Sequence, residues 1–270
     1  MMKWVKFIDD NDEHRYETET GEWLQGVSTV SGVLPKEWLS AWGAKEAVKD
    51  LGYSDYEGDT EKAEKVLAEI KDMTVEQFQT RLKEAKGASR RKSKEALLNG
   101  TEGHAWLEAR IKALIRGETP PELPDNTLKR PLEQFLEWER ENIDEWVLSE
   151  ARVADIENKY AGTLDALAYM KDGKLAIIDF KFASHISPEY FLQTAGYQGT
   201  LEKYGIKIDQ RIIIRLPKTL YLDEWDEKLK KYVKVVNEIE PVVVPTPYED
   251  DIRVFIAALP VKQWINRMTK

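Results

Sequence analysis

The chain has 270 residues, of which 42% are hydrophobic and nine are Trp, so it can bury the core of one large domain or two small ones and is not a disordered chain. It has no cysteine and three histidines, which excludes disulfides, zinc fingers, iron–sulfur clusters, cysteine nucleophiles and a multi-histidine metal site; any metal would be held mainly by oxygen, which favours Mg2+ or Mn2+. The net charge of −9 argues by itself against nucleic acid, and with no apolar run near 18 residues and no leader-like N-terminus the expectation is no membrane partner and a reducing cytoplasm.

Residues 3–8 and 15–24 read as a hairpin with Gly21 at or near its turn. Residues 28–51 read as two short helices broken near Pro35. Residues 60–86 follow a helical 3/4 spacing through Ala63, Val66, Leu67 and Ile70, with Thr74 capping a second run. Residues 88–116 form a longer helical run containing Gly100 and Gly103, and 117–126 (GETPPELPDN) is a loop. After a helix near 129–143 the period shortens to two. Residues 146–155, 160–170 and 174–182 read as strands, the last two joined by a tight turn at Lys171–Asp172–Gly173. A helix at 188–204, a strand at 208–216, a looser β-rich stretch around 242–247 and an amphipathic helix at 248–267 complete the chain. The fold class is α/β: a helix, a three-strand mixed sheet, a helix and a further strand, with an N-terminal hairpin and a helical insert. The boundaries are 1–87 for the N-terminal elaboration, 88–218 for the core and 219–270 for a C-terminal extension.

Charge is segregated along the chain. Residues 50–76 carry nine acids and three bases, 81–94 seven bases and one acid, and 203–218 five bases and one acid. Such blocks either form separate solvated faces or present a basic path on an acidic body.

Four places carry chemistry. On a strand, Asp179 and Lys181 in AIIDFKF point to one face, while Ile178, Phe180 and Phe182 point to the other. The pair is either an ion pair on a solvated edge or a metal-holding carboxylate beside an ammonium. Asp165 is symmetric with Asp179 about residue 172, so a two-strand hairpin puts the two acids opposite each other, provided that the register is not shifted by one. Two carboxylates at that spacing are tolerated when a divalent cation bridges them or one is protonated. His104 and Glu108 are four apart on one helix face, beside an apolar stripe that could equally hold a core histidine, and Gly100 just upstream allows close backbone approach. Glu150 adds an acid on the first strand. Gln193 and Tyr197, also four apart on a helix, carry no message alone.

In order, GTEGHAWLE (100–108), Glu150, GTLD (162–165), IDFK (178–181) and QTAGY (193–197) resemble the PD-(D/E)XK nuclease superfamily, nearest its branch of RecB-type nuclease domains, CRISPR-associated relatives and the mitochondrial genome maintenance exonuclease. The resemblance covers about residues 88–216, and residues 26–47 look like the leading segment of phage-type exonucleases of that superfamily. It implies a restriction-endonuclease-like core and a Mg2+- or Mn2+-dependent DNA exonuclease for single strands or ends, in phage or bacterial recombination or repair. The alternatives are a flap endonuclease, a non-catalytic DNA-binding module and a structural helper protein. It also implies that Asp165 and Asp179 bind the metal with His104 and the Phe180 carbonyl, that Glu108 and Glu150 complete the acidic surround, and that Lys181 positions or deprotonates the attacking water. Gln193 and Tyr197 would orient the phosphate. DNA would run past Arg90, Arg91, Lys92, Lys203 and Lys207, with some of Arg211 and Arg215, and Trp42 or Trp106 could stack on bases. The insert at 50–90 would cover the slot and require a free end. Two features depart from relatives: no cysteine is available for a cluster, and no GxxxxGK[ST] motif is present, so a helicase or recombinase would be a separate chain.

Overall fold

The computed structural model describes residues 5–10, 13–36, 38–52, 60–218, 221–226 and 231–268. It is a mixed α/β protein that divides into two compact units, one formed by residues 1–34 and 99–270, the other by 35–98. This partition differs from one drawn at residues 87 and 218: the N-terminal strands and the C-terminal extension both belong with the core.

In the larger unit β1 (Val5–Asp10), β2 (Glu13–Thr18) and β3 (Trp23–Gly26) form an antiparallel meander. It has three strands where the sequence reading has a two-strand hairpin, because the turn after Thr18, with Gly21 at φ +80, separates β2 from β3. The main strands are β4 (Ile143–Asp155), β5 (Tyr160–Met170), β6 (Leu175–Phe182) and β7 (Gln210–Leu216), with β10 (Glu240–Val243) on the far edge. Among the described residues the result is an eight-stranded mixed open sheet rather than a three-stranded one plus a strand. The meander joins it through a short parallel ladder, Gln25↔Tyr160 and Gly26↔Ala161. β10 occupies 240–243, with the rest of the 242–247 stretch running on as a loop, and β8 (Tyr221–Asp226) and β9 (Lys231–Val236) pair only with each other.

Two apolar faces make this a three-layer structure. On one, Leu107 and Ile111 of α5 (Ala88–Arg116) and Leu132 and Phe135 of α6 (Lys129–Asn142) cover Ile178, Phe180, Phe182, Ile212 and Ile214. On the other, α1 (Val27–Ser31), α7 (Pro188–Lys203) and α8 (Tyr248–Met268) supply Val30, Leu192, Tyr197, Leu201, Phe255 and Leu259 against Leu164, Leu167 and Ile177. β6 obeys the period of two: Leu175 and Ile177 face one layer, Ile178, Phe180 and Phe182 the other, so Asp179 and Lys181 fall on the α7 side.

Arg211 and Arg215, expected near a DNA path, are instead buried. Arg211 donates to Asp251 (2.8 Å) and to the carbonyls of Phe191 and Thr246, tying β7 to α7 and α8. Arg215 donates to Glu240, Asn237 and the Glu238 carbonyl. A buried guanidinium needs such partners to offset the water it has lost, and all of them but the Phe191 carbonyl come from the C-terminal extension.

The smaller unit is helical: α2 (Trp38–Asp50), α3 (Thr60–Lys71), α4 (Val75–Lys86) and the start of α5. Thr74 caps α4 reciprocally, its hydroxyl accepting from the Gln77 amide (3.2 Å) and its amide donating to Gln77 Oε1 (2.8 Å).

Candidate metal centre

β5 is the strand around which the site is built. Its whole length pairs with β4 on one edge. The other edge is shared: β3 takes residues 160–161 and β6 takes 166–169. Residues 162–165, the GTLD segment, lie in the fork between them. The ladder Ala166↔Ile178 to Tyr169↔Leu175 has the register expected from the turn, and one step further brings Asp165 opposite Asp179. In the fork Asp165 Oδ2 accepts the Phe180 amide (2.8 Å), a side chain doing what a ladder carbonyl does elsewhere. The apolar residues of β5 also change faces here. Leu164 and Leu167 share one cluster, while Ala166 and Ala168 belong to the other. Opposite Asp165 on β4, Glu150 adopts φ +49, left-handed backbone that is uncommon for a non-glycine residue.

Glycines set the approach of the neighbouring helices. A Cβ on Gly103 would lie 2.0 Å from Phe182 Cζ, so α5 presses its backbone onto that ring and carries His104 into an edge-on contact with it, centroids 5.5 Å apart. The close approach thus falls at Gly103; at Gly100 a Cβ would meet Phe182 at an ordinary 3.8 Å. A Cβ on Gly162 would lie 2.6 Å from Tyr197 Cε1, so the first residue of GTLD makes room for the last of QTAGY.

The result is a convergence of His104, Glu150 and Asp165, which each offer a ligand atom within 4.8 Å of the others; His104 Nδ1 is 3.8 Å from Asp165 Oδ2. Asp179 stands beside this trio, 1% exposed, with Lys181 Nζ 2.6 Å from its Oδ2. Apart from Lys181, neither Asp179 oxygen meets a hydrogen-bond donor among the described residues. Burial pushes its carboxyl up to about 6, with the nearby Asp165 adding to the effect against the pull of Lys181. Burial likewise raises Asp165. Burial, then the charges of Asp165 and Glu108, push Glu150 up to about 7. Burial and the Lys181 ammonium push His104 down to about 4, so its imidazole is neutral, the form that coordinates metals. Burial works to lower Lys181, but Asp179 and Asp165 outweigh it and it remains an ammonium. Crowded carboxylates beside a neutral imidazole form a donor set that suits a cation, and one nitrogen with several oxygens fits Mg2+ or Mn2+.

The other expected residues fall into three groups. Glu108, one turn beyond His104, pairs with Lys112 and acts on Glu150. Gln193 Nε2 donates to the Tyr197 hydroxyl (3.2 Å), and burial together with Asp179 and Asp165 raises Tyr197 well above the usual phenol. The Phe180 ring faces the opposite layer, against Phe135, while its amide anchors Asp165. Arg90, Arg91 and Lys92 belong to the smaller unit and are exposed; Arg91 is paired with Asp50 (2.7 Å). Lys203 is held by Asp155 (2.8 Å) and Glu157 (2.9 Å), and Lys207 lies 3.3 Å from Asp209, so both are locally neutralised. Trp106 donates to the Glu122 carbonyl and packs on the α5–α6 core, and Trp42 is half-buried in the smaller unit.

Two tyrosines escaped the sequence reading. Tyr190 places its ring 5.2 Å from Lys181 Nζ, and its signal was there: 190, 193 and 197 share one face of α7. Tyr16 of β2 shares a hydrogen bond with Thr163 (3.0 Å), a contact across 147 residues that no local pattern announces.

No model of a known protein family matches the chain, and no curated protein matches it significantly.

Proposed function

We propose that the protein is a divalent-metal-dependent deoxyribonuclease on a restriction-endonuclease-like core, acting as an exonuclease on single-stranded DNA or DNA ends in phage or bacterial recombination or repair, in the cytoplasm. The observation that carries this reading is the convergence of His104, Glu150 and Asp165 beside the buried Asp179–Lys181 pair. The element order α5, α6, β4, β5, β6, α7, β7 supports it, with residues 100–108 on α5, Glu150 on β4, 162–165 on β5, 178–181 on β6 and 193–197 on α7.

Mg2+ or Mn2+ would be held by His104, Glu150 and Asp165, with Asp179 adjoining, and when bound it supplies a Lewis acid and a water of lowered pKa. Phosphodiester hydrolysis must also compensate charge on the phosphate, and Lys181, kept cationic by Asp179, is placed to do so. It serves as an electrostatic and orienting group rather than as the base. Gln193 and Tyr197, bonded to each other and buried beside the acids, steady the phosphate end of the site. Recruitment of DNA rests on exposed bases of α5 such as Arg90, more than on Lys203 or Lys207, whose charges are already met.

The test is cleavage of end-labelled single-stranded, duplex and flap DNA with Mg2+, Mn2+ or EDTA. Wild type is expected to cut with either metal and not in EDTA, and Lys181→Ala to be slower by about 100-fold or more. Metal-independent cleavage, no cleavage of any substrate, or full activity in Lys181→Ala refutes the reading. Linear single strands are expected to be degraded while circles persist; rapid cutting of circles replaces the exonuclease with an endonuclease.

A further inference from the structure

α8 is amphipathic twice over. One side, with Phe255, Ala258 and Leu259, is buried against the body of the larger unit. The opposite side is also apolar. Val254 is 46% exposed, Val261 49%, Trp264 55% and Met268 65%, and Ala257 between them is exposed as well. These five positions are spaced 3, 4, 3 and 4, the repeat of a helix seam that packs against another helix. Isolated exposed apolar residues need no explanation, but a heptad-spaced row ending in Trp and Met is a contiguous patch.

We propose that this row is a self-association surface, with α8 packing antiparallel on α8 of a second copy of the chain. Two features select that occupant. The helix has opposite charges at its two ends on one flank. Glu249, exposed in the first turn, and Arg267, exposed in the last, are eighteen residues apart, five turns of regular spacing, which puts them on one flank of a helix that bends at the interior Pro260 between them. An antiparallel copy sets each Glu249 beside the partner's Arg267, twice over, and opposes the helix dipoles favourably; a parallel copy sets like against like. The row is also self-complementary in size. Antiparallel pairing about the helix middle puts the Trp264 ring of each copy over the smaller Val254 of the other and Ala257 over Val261, and it leaves Met268 at the rim beside Asp250, which Arg253 already pairs. The seam runs about 21 Å, and two such faces bury on the order of 1,000 Å2, the low end for specific interfaces, so the dimer is of micromolar rather than nanomolar strength.

Sedimentation velocity of the full chain over roughly 1–200 µM is expected to show monomer converting to dimer with a midpoint in the micromolar range. Trp264→Glu is expected to stay monomeric throughout with an unchanged melting temperature, since the ring is more than half exposed. Arg267→Glu weakens the dimer by about 10-fold, and adding Glu249→Arg restores it. A wild type that is monomeric at the highest concentration, or a Trp264→Glu chain that dimerises as wild type does, overturns the proposal. Failure of the double charge exchange to restore what the single one lost overturns the antiparallel arrangement on which it rests.

Discussion

Replacing Asp179 by Asn tests whether the buried acid is there for a cation or for the fold. The side chain is 1% exposed, and its carboxyl is raised from an ordinary 3.8 to about 6, burial outweighing the attraction of Lys181 at 2.6 Å. In the metal-free protein the charged form is therefore the disfavoured one. A folded-state pKa above the unfolded value means that the native state binds the extra proton. The stability that goes with it is present below about pH 4 and is lost as pH rises through about 6. The full difference is on the order of 3 kcal/mol, about half of which accrues between pH 5 and pH 8. Asn keeps the shape without the charge, and Asp165 remains to face the Lys181 ammonium. In EDTA, urea unfolding followed by Trp fluorescence is expected to give Asp179→Asn equal or greater stability than wild type at pH 8. Its advantage should shrink by about half at pH 5. Excess Mn2+ at 100 times its dissociation constant would add about 2.7 kcal/mol to wild type and much less to the variant. A loss of 3 kcal/mol or more at every pH, the signature of a broken buried ion pair, would refute the reasoning and make Asp179 and Lys181 a structural pair.

Three further outcomes follow from the same geometry. Because Glu150 titrates at about 7, Mn2+ is expected to raise the melting temperature more at pH 8 than at pH 6, where that ligand holds its proton; an equal rise at both would remove Glu150 from the site. Gly103→Ala drives a methyl to 2.0 Å from the Phe182 ring and should cost about 1–3 kcal/mol, measured by urea unfolding, together with Mn2+ affinity measured calorimetrically, since His104 rides on the same turn. Tyr190→Leu removes the ring over Lys181 and should lower kcat by about 10-fold with KM little changed, while Tyr190→Phe, which keeps the ring, stays near wild type. Equal loss in both variants would show that the hydroxyl, not the ring, is what matters.

Much of the site was legible because it is local. The tight turn at 171–173 sets the β5–β6 register, and that register alone puts Asp165 across from Asp179. Helical spacing alone puts His104 and Glu108 on one face. What was not legible depends on partners far along the chain. Arg211 and Arg215 look like surface bases in a basic block until Asp251 and Glu240 arrive to bury them. The β3–β5 ladder involves two residue pairs about 135 positions apart, too little pattern for any periodicity to reveal. The left-handed backbone at Glu150 has no sequence signature either, since glutamate does not favour it; it is imposed by the sheet around it. Gly100 and Gly103 look alike in sequence, and only the position of Phe182 distinguishes them.

The fork in β5 has a mechanical corollary. The carboxylate at its base is gripped from one side by β6, while the other prong is fastened by the two-pair β3–β5 ladder, the Gln25 amide on the Lys159 carbonyl, the Glu22–Lys159 ion pair, the Tyr16–Thr163 bridge and the packing of Val5, Tyr16 and Leu24 on Ala154 and Ala161. Among the described residues the N-terminal strands contribute no candidate ligand, yet they brace the strand that does. Spacing between the ligand atoms is thus only as firm as that N-terminal clasp, and whatever loosens the clasp detunes the centre beside it.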